Sequence, residues 1–444
     1  MGTAVARAVI DLALDAELLV PAFQPIVELQ SGDVVGYEAL ARWEAPGLGP
    51  GTAFDAARAA GRLAELDWAC RLAALRAALD ADLGAGHSLF VNVEPETLGA
   101  PPPPAARAVL DEAARRLRVV VEFTERALTH RPADLLRVID RVRGMGWGVA
   151  LDDVGAAPES LALLPFVAPD VIKLDLSLVQ RRPSVEQGHI LAAVMAHAER
   201  TGASVLAEGV ETGAHRDQAF ALGATYGQGW YFGRPARLGT PGAASERVPF
   251  IRPPGIPPRT PFDLVVRSSR LRRGRKAVLL AMSRHLEELG LNHGTPRVVL
   301  GAFQTADRFT AASAARYAKL ADVSPLVAAF GAGLGTEPAP GVHGAALDAA
   351  DPLVGEWTVV VVGATYAGAL IARDVGDHGP DLDRRYDFVV THDRDTVLSA
   401  ARSLLTRIAP SVTTVAGAPS GPAGITSPAS APPRSPRFPS RDGS

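Results

Sequence analysis

Cysteine is almost absent: Cys70 stands alone among 444 residues, so no internal disulfide can form and a cysteine zinc site is not expected. That usage fits a reducing cytoplasm. Charge of one sign is not in excess either. The net charge of -3 and the isoelectric point near 6.4 give no reason to expect a nucleic-acid-binding surface. Long apolar runs are missing. The most apolar stretch, Val359 to Ala372, is too short to span a bilayer and is interrupted by Gly363 and Gly368. The first twenty residues carry Asp11, Asp15 and Glu17 and lack the basic flank and long apolar run of a signal peptide, so none is expected there. No HExxH spacing and no P-loop occur. A soluble cytoplasmic protein with no membrane span and no nucleic-acid partner is the expectation.

The chain is long enough for two or three domains, and 47% apolar residues supply a sizeable core. Val5, Val9, Leu12, Ala16 and Leu19 recur at helical spacing, which predicts a helix over 4–19 in an N-terminal segment, 1–20. Phe23 to Leu29 and Val34 to Trp43 read as strands joined by the turn Ser31-Gly32-Asp33, an antiparallel hairpin. Helical spacing then covers Thr52 to Leu83. From Leu89 onward short apolar runs alternate with helical stretches as far as Pro235. That alternation predicts parallel strands and, at this repeat number, a closed β/α barrel over 21–238. A Gly/Pro-rich linker, 239–261, leads to a smaller α/β unit, 262–409. The tail, 410–444, is Ser, Pro, Ala and Gly with little to bury and is expected to be disordered.

Acidic and amide residues fall at the ends of these strands: Glu38, Asn92, Glu122, Asp152, Asp153, Glu208 and Glu211. Taken singly, each is as readily an N-cap or an ion-pair partner. A buried carboxylate is costly unless its charge is compensated. Two carboxylates 4 Å apart repel by about 4 kcal/mol at an effective dielectric of 20. A cluster at one rim therefore raises its own pKa values or holds cations. Hard divalent ions such as Mg²⁺ or Mn²⁺ suit such oxygen ligands. Lys173, at the end of its own strand, would stay charged amid carboxylates and could orient water and a phosphate oxygen. A salt bridge serving stability alone is the other reading. Arg42 suits a phosphate or an ion pair with one of the acids.

Phe23-Gln24-Pro25-Ile26-Val27, Glu38-Ala39-Leu40 with Arg42-Trp43, and Ala207-Glu208-Gly209-Val210-Glu211 resemble the EAL domain, the cyclic-di-GMP phosphodiesterase family. The resemblance runs from Pro21 to Pro235 and implies a modified (β/α)8 TIM barrel with an antiparallel first strand pair. It implies two Mg²⁺ or Mn²⁺ ions on Glu38, Asn92, Glu122, Asp152, Asp153 and Glu208. It implies Lys173, Glu208 and Glu211 about the catalytic water, with Glu208 open as ligand or base. Gln24, Arg42 and Gln228 are implied at the substrate, Glu125 steadying the following loop, and Asp175 in support. That loop departs from the family pattern: Asp152-Asp153-Val154-Gly155-Ala156-Ala157-Pro158-Glu159-Ser160 lacks the usual phenylalanine, second glycine, tyrosine and first serine. The diguanylate cyclase signature Gly-Gly-Asp-Glu-Phe is absent.

The second unit resembles the DICT sensory domain through Phe303-Gln304, Arg308-Phe309-Thr310, Arg316-Tyr317, Glu356-Trp357 and Thr391-His392-Asp393-Arg394. The two resemblances together imply hydrolysis of cyclic-di-GMP to linear pGpG, regulated by a C-terminal sensory domain, in a homodimer with a possible signalling partner. The alternative is a catalytically weak or inactive EAL domain acting as a cyclic-di-GMP receptor or a protein-interaction module. The basic cluster Arg267, Arg270, Arg272, Arg273, Arg275 and Lys276 reads as a solvated face.

Overall fold

Eight short strands, one after another in chain order, close a barrel. They are β1 (Ala22–Glu28), β2 (Val34–Leu40), β3 (Ser88–Asn92), β4 (Arg118–Thr124), β5 (Gly148–Val154), β6 (Val171–Leu174), β7 (Ser204–Ala207) and β8 (Tyr226–Gln228). The computed structural model describes residues 3–124, 132–155, 161–162, 164–181, 184–243, 249, 251, 260–268, 270–291 and 297–408. β1 runs antiparallel to both neighbours, β2 and β8, and the remaining pairs are parallel. The expected hairpin is the reason: its three-residue turn returns the chain beside itself, while every later strand is reached through a helical crossover.

The helices around the barrel are α1 (Thr3–Ala13), α2 (Pro50–Ala60), α3 (Leu63–Asp80), α4 (Ala106–Arg116), α5 (Pro132–Gly144), α6 (Leu164–Val167), α7 (Leu176–Gln180), α8 (Val185–Thr201) and α9 (Gly213–Ala221). Two differ from the sequence pattern. α1 ends at Ala13 and not at Leu19, because Leu19 bridges to Trp43, whose indole N–H donates to the Ala13 carbonyl at 2.7 Å. The helical run from Thr52 splits at Gly61, which takes φ 68° and caps α2. Hydrophobic spacing carries on through that break, which is why it reads as one helix.

One apolar side chain from each strand plugs the barrel: Ile26, Val35, Phe90, Val120, Ala150, Val171, Leu206 and Tyr226. Side chains two apart on a strand share a face. The next inward layer is therefore Asn92, Glu122, Asp152, Lys173, Glu208 and Gln228, each two residues beyond its plug residue. Gln24 lies two before Ile26, because β1 runs the other way, and it pairs with Glu38 across the hairpin.

The second unit is a seven-stranded sheet: β9 (Arg272–Arg275), β10 (Arg297–Thr305), β11 (Leu326–Ala332), β12 (His343–Leu347), β13 (Glu356–Gly363), β14 (Ala367–Asp374) and β15 (Arg385–Thr391), in the order β12-β11-β10-β13-β14-β15-β9. With them come α10 (Pro261–Val265), α11 (Lys276–Gly290), α12 (Ala311–Ala321) and α13 (Arg394–Leu405). Alternate strand residues face opposite ways. Val299, Val359, Val361 and Leu370 pack with Leu286 and Tyr317 of α11 and α12. Val298, Leu300, Val360 and Ile371 pack with α13 in a hydrophobic cluster that continues into the barrel's outer shell. Arg272, Arg273 and Arg275 of the basic cluster lie on the edge strand β9, where Arg273 pairs with Asp387; Lys276, just beyond it, pairs with Asp381.

α13 packs against α5 and α6 of the barrel. Its Arg402 donates to the Phe166 carbonyl at 2.8 Å and 3.2 Å. In the linker, Pro249 and Ile251 reach the starts of β4 and β5: Arg118 donates to the Pro249 carbonyl, and Ile251 sits against Gly148. No helix among the described residues is long and apolar enough to cross a membrane.

Candidate active site

Lys173 is the centre of the polar rim. Its ammonium is 1% exposed and lies 2.7 Å from Glu208 Oε1, 2.8 Å from Glu122 Oε1, 3.0 Å from Asp152 Oδ1 and 3.8 Å from Glu38 Oε2. One ammonium thus faces four carboxylates, from β2, β4, β5 and the residue just beyond β7. Burial works against a charged Lys173, yet Glu122, Glu208, Glu38 and Asp152 together hold its pKa well above the ordinary lysine value.

One cation cannot compensate so many carboxylates, and they respond unequally. Burial and the Glu38 charge push Glu122 well above the usual carboxylate range, against Lys173. Burial raises Glu208 to about 8, again opposed by Lys173. Glu38 goes the other way. Burial would raise it, but Lys173 and hydrogen bonds from Gln228 and Asn92 hold it down. Those bonds are Asn92 Nδ2 to Glu38 Oε1 at 2.9 Å and Gln228 Nε2 to Glu38 Oε2 at 2.6 Å. Gln228 Nε2 also donates to Gln24 Oε1 at 3.2 Å, and Gln24 Nε2 to the Gly233 carbonyl at 3.2 Å. Gln24, Gln228 and Asn92 therefore act on Glu38 as a clamp.

Asp152 and Asp153 are consecutive, so a regular strand would point them to opposite faces. The chain avoids this with a bulge. The β5–β6 register shifts between Leu151 and Val154, and Asp153 takes φ 58°, a left-handed conformation that aspartate tolerates better than most residues. The Asp153 N–H donates to Asp152 Oδ1 at 3.0 Å. Carboxylate oxygens of Asp152, Asp153 and Glu208 then all lie within 4.8 Å of one another.

The other expected residues are placed as follows. Asp175 caps α7, accepting from Ser177 N–H at 2.9 Å. Glu211 lies exposed in the loop after β7 and is not one of the four carboxylates around Lys173. Arg42 is exposed just beyond β2, at a cleft of about 370 Å³ that Asn92 and Glu94 also line. Glu125 and loop residues 156–160 lie outside the described residues. Asp67 escaped the sequence reading. It is 3% exposed on α3 and accepts from Thr97 Oγ1 at 2.6 Å and Glu94 N–H at 3.2 Å, fixing the turn that follows Asn92. Its only signal was an acid on the buried side of an otherwise apolar helix face.

The donor set fits hard divalent cations. Every candidate ligand offers oxygen, and Glu122 Oε2 is buried with no hydrogen-bond donor among the described residues. Residues 7–235 match the family described as EAL domain. The chain belongs to the EAL family. Residues 264–374 match the family described as a sensory domain in diguanylate cyclases and two-component systems. The EAL barrel is similar to the cyclic di-GMP phosphodiesterase RocR of Pseudomonas aeruginosa, 34% identical over 227 residues, or 48% of this chain and 56% of RocR. The match thus spans little more than half of that relative's length. Uncharacterized protein Rv1357c of Mycobacterium tuberculosis is 30% identical over 240 residues, covering 50% of this chain and 77% of the relative. Among solved structures, a manganese and cyclic-di-GMP complex of Klebsiella pneumoniae BlrP1 aligns at 31% identity with a TM-score of 0.42, covering 49% of this chain and 56% of that one.

Proposed function

We propose that this chain hydrolyses one phosphodiester bond of cyclic-di-GMP to give linear pGpG, using two Mg²⁺ or Mn²⁺ ions. The observation that carries the reading is the rim itself, where carboxylates from β2, β4, β5 and the end of β7 outnumber the one ammonium that faces them. In this reading Glu38, Asn92, Glu122 and Asp152 would hold one cation, and Asp152, Asp153 and Glu208 the other. Once bound, the cations would supply Lewis acidity and neutralise phosphate charge. Lys173 Nζ orients the attacking water and a phosphate oxygen. Glu208, whose Oε1 lies 2.7 Å from Lys173 Nζ, takes the proton of that water. Gln24 and Gln228 keep Glu38 aimed, and Arg42 meets phosphate at the mouth of the cleft. Asp175 secures the start of α7, and Glu211 orients water from the exposed loop.

The test is turnover of cyclic-di-GMP by the purified full-length protein. Formation of pGpG with Mg²⁺ or Mn²⁺, abolished by EDTA and restored by either metal, is expected. Val154-Gly155 where the family carries Phe-Gly favours the second reading, a receptor. Saturable cyclic-di-GMP binding without pGpG over a range of metals would select it. Absence of binding would remove both.

Regulation belongs to the same proposal, with 21–238 as the catalytic unit, 239–261 as linker and 262–409 as the sensory unit. α13 rests on α5 and α6, and α6 follows soon after Asp153 in the chain. Arg402→Ala removes a contact between the units and no rim residue. It is expected to change turnover roughly two- to thirtyfold, the scale of coupling between sites. Unchanged kcat and KM would reduce the interface to a support. A cytoplasmic homodimer is part of this reading, and a monomeric mass by light scattering at micromolar concentration would remove the dimer.

A further inference from the structure

The sheet of the second unit holds a cavity of about 380 Å³ beneath α11 and α12, within the range of small-molecule sites. Three costly features meet there. Glu287 is 1% exposed, a buried carboxylate satisfied by Arg316 Nε at 2.5 Å, Tyr317 Oη at 3.2 Å and Ser283 Oγ at 3.4 Å. Gly301 is what lets Tyr317 reach it, since a Cβ at 301 would lie 2.1 Å from the phenolic oxygen. Gln304, on the cavity wall, takes φ 67° at a bulge in β10 between Ala302 and Thr305.

The consequence lies in the cations. Lys276 and Arg308 are both spent on Asp381. Arg316 is aimed by Glu287 through Nε alone. Among the described residues its other two nitrogens reach only the Ala312 carbonyl at 3.4 Å and Ser313 Oγ at 3.5 Å, the limit of hydrogen bonding. Arg284, on the same wall, has no ion-pair or hydrogen-bond partner among the described residues. Phe303, Trp357 and Tyr386 line the same cavity, with the Trp357 and Tyr386 rings edge to face at 5.7 Å. Guanidinium nitrogens without strong acceptors thus share one cavity with aromatic side chains.

We propose that this cavity binds a small organic anion carrying a planar ring. The anionic group sits on Arg284 and the outer nitrogens of Arg316, and the ring lies against Phe303, Trp357 and Tyr386. Glu287 and Tyr317 are positioning residues that act through Arg316. The inference does not rest on the barrel's activity.

The test is fluorescence titration of the full-length protein with three probes: anilinonaphthalene sulfonate, its uncharged relative phenylnaphthylamine, and inorganic phosphate as competitor. Saturable sulfonate binding is expected, with the uncharged ring much weaker. Arg284→Ala should weaken sulfonate binding roughly tenfold, as loss of a charge-assisted bond does. Arg284 is exposed, so that variant should keep the parent melting temperature. Trp357→Leu should weaken the sulfonate and the uncharged ring alike. Equal affinity for charged and uncharged rings would overturn the proposal, as would a titration unchanged by Arg284→Ala. Displacement of the sulfonate by micromolar phosphate would overturn the ring's part in recognition.

Discussion

Asp152→Asn is expected to fold and to lose at least about a hundredfold in cyclic-di-GMP turnover. The substitution keeps the side chain's shape and an oxygen able to accept the Asp153 N–H now held at 3.0 Å, so the bulge of β5 should survive. What goes is the one negative charge that the proposed reading shares between two cations. A neutral amide cannot bridge two hard divalent ions as a carboxylate does. Stability in chelator should hold or rise, because the rim already carries more negative charge than Lys173 can offset. Turnover at saturating Mn²⁺, measured beside the melting temperature in EDTA, separates the two effects. A variant as active as the parent would end the proposal that Asp152 bridges cations.

The ring of polar side chains was legible because a strand repeats every two residues. Phe90-Val91-Asn92, Val120-Val121-Glu122, Ala150-Leu151-Asp152 and Val171-Ile172-Lys173 each pair an inward apolar residue with an inward polar one, and Tyr226-Gly227-Gln228 does the same. Sequence showed which residues would face one rim. It did not show that Gln228 spends its amide on Glu38, since Nε2 could equally have met a water or a ligand. Nor did it show how neighbours Asp152 and Asp153 come to share a side. That answer is a backbone conformation, φ 58° at Asp153, which leaves no mark on composition or period.

In the second unit β10, β11, β13 and β15 carry apolar runs and were readable. β9, Arg272-Arg273-Gly274-Arg275, was not, because an edge strand of charged residues looks like a solvated loop. β12 contains Gly344 and two alanines, weak strand formers. β14 merges with the apolar run of β13, and only the register Val362↔Ala367 exposes the hairpin between them. The contact of Arg402 with Phe166 joins a guanidinium to a backbone carbonyl 236 positions away, and no residue pattern encodes a partner of that kind.

Lys173→Met should expose the electrostatic debt of the rim. In chelator it removes the ammonium that four carboxylates face and leaves Glu38 and Glu122 buried beside the half-buried Asp152 and Glu208, with Glu122 and Lys173 itself each 1% exposed. Breaking a buried ion pair from one side costs about 3–5 kcal/mol, or roughly 10 °C of melting temperature for a domain of this size. The loss should grow with pH. Without the lysine, burial and mutual repulsion lift the folded Glu122 and Glu208 further above their unfolded pKa of about 4.3, so the folded state binds more protons than the unfolded one. Stability then falls as pH rises from there through the folded values, of which Glu208 already stands at about 8 with the lysine in place. Millimolar Mn²⁺ should return most of the melting temperature, since divalent cations can replace the missing charge. Turnover should stay low even then, because the group that orients the water is gone. A Lys173→Met protein that melts like the parent in EDTA at pH 8 would show that the rim does not need the lysine's charge. Recovery of both stability and turnover with Mn²⁺ would remove Lys173 from the proposed chemistry and leave it as a stand-in for metal.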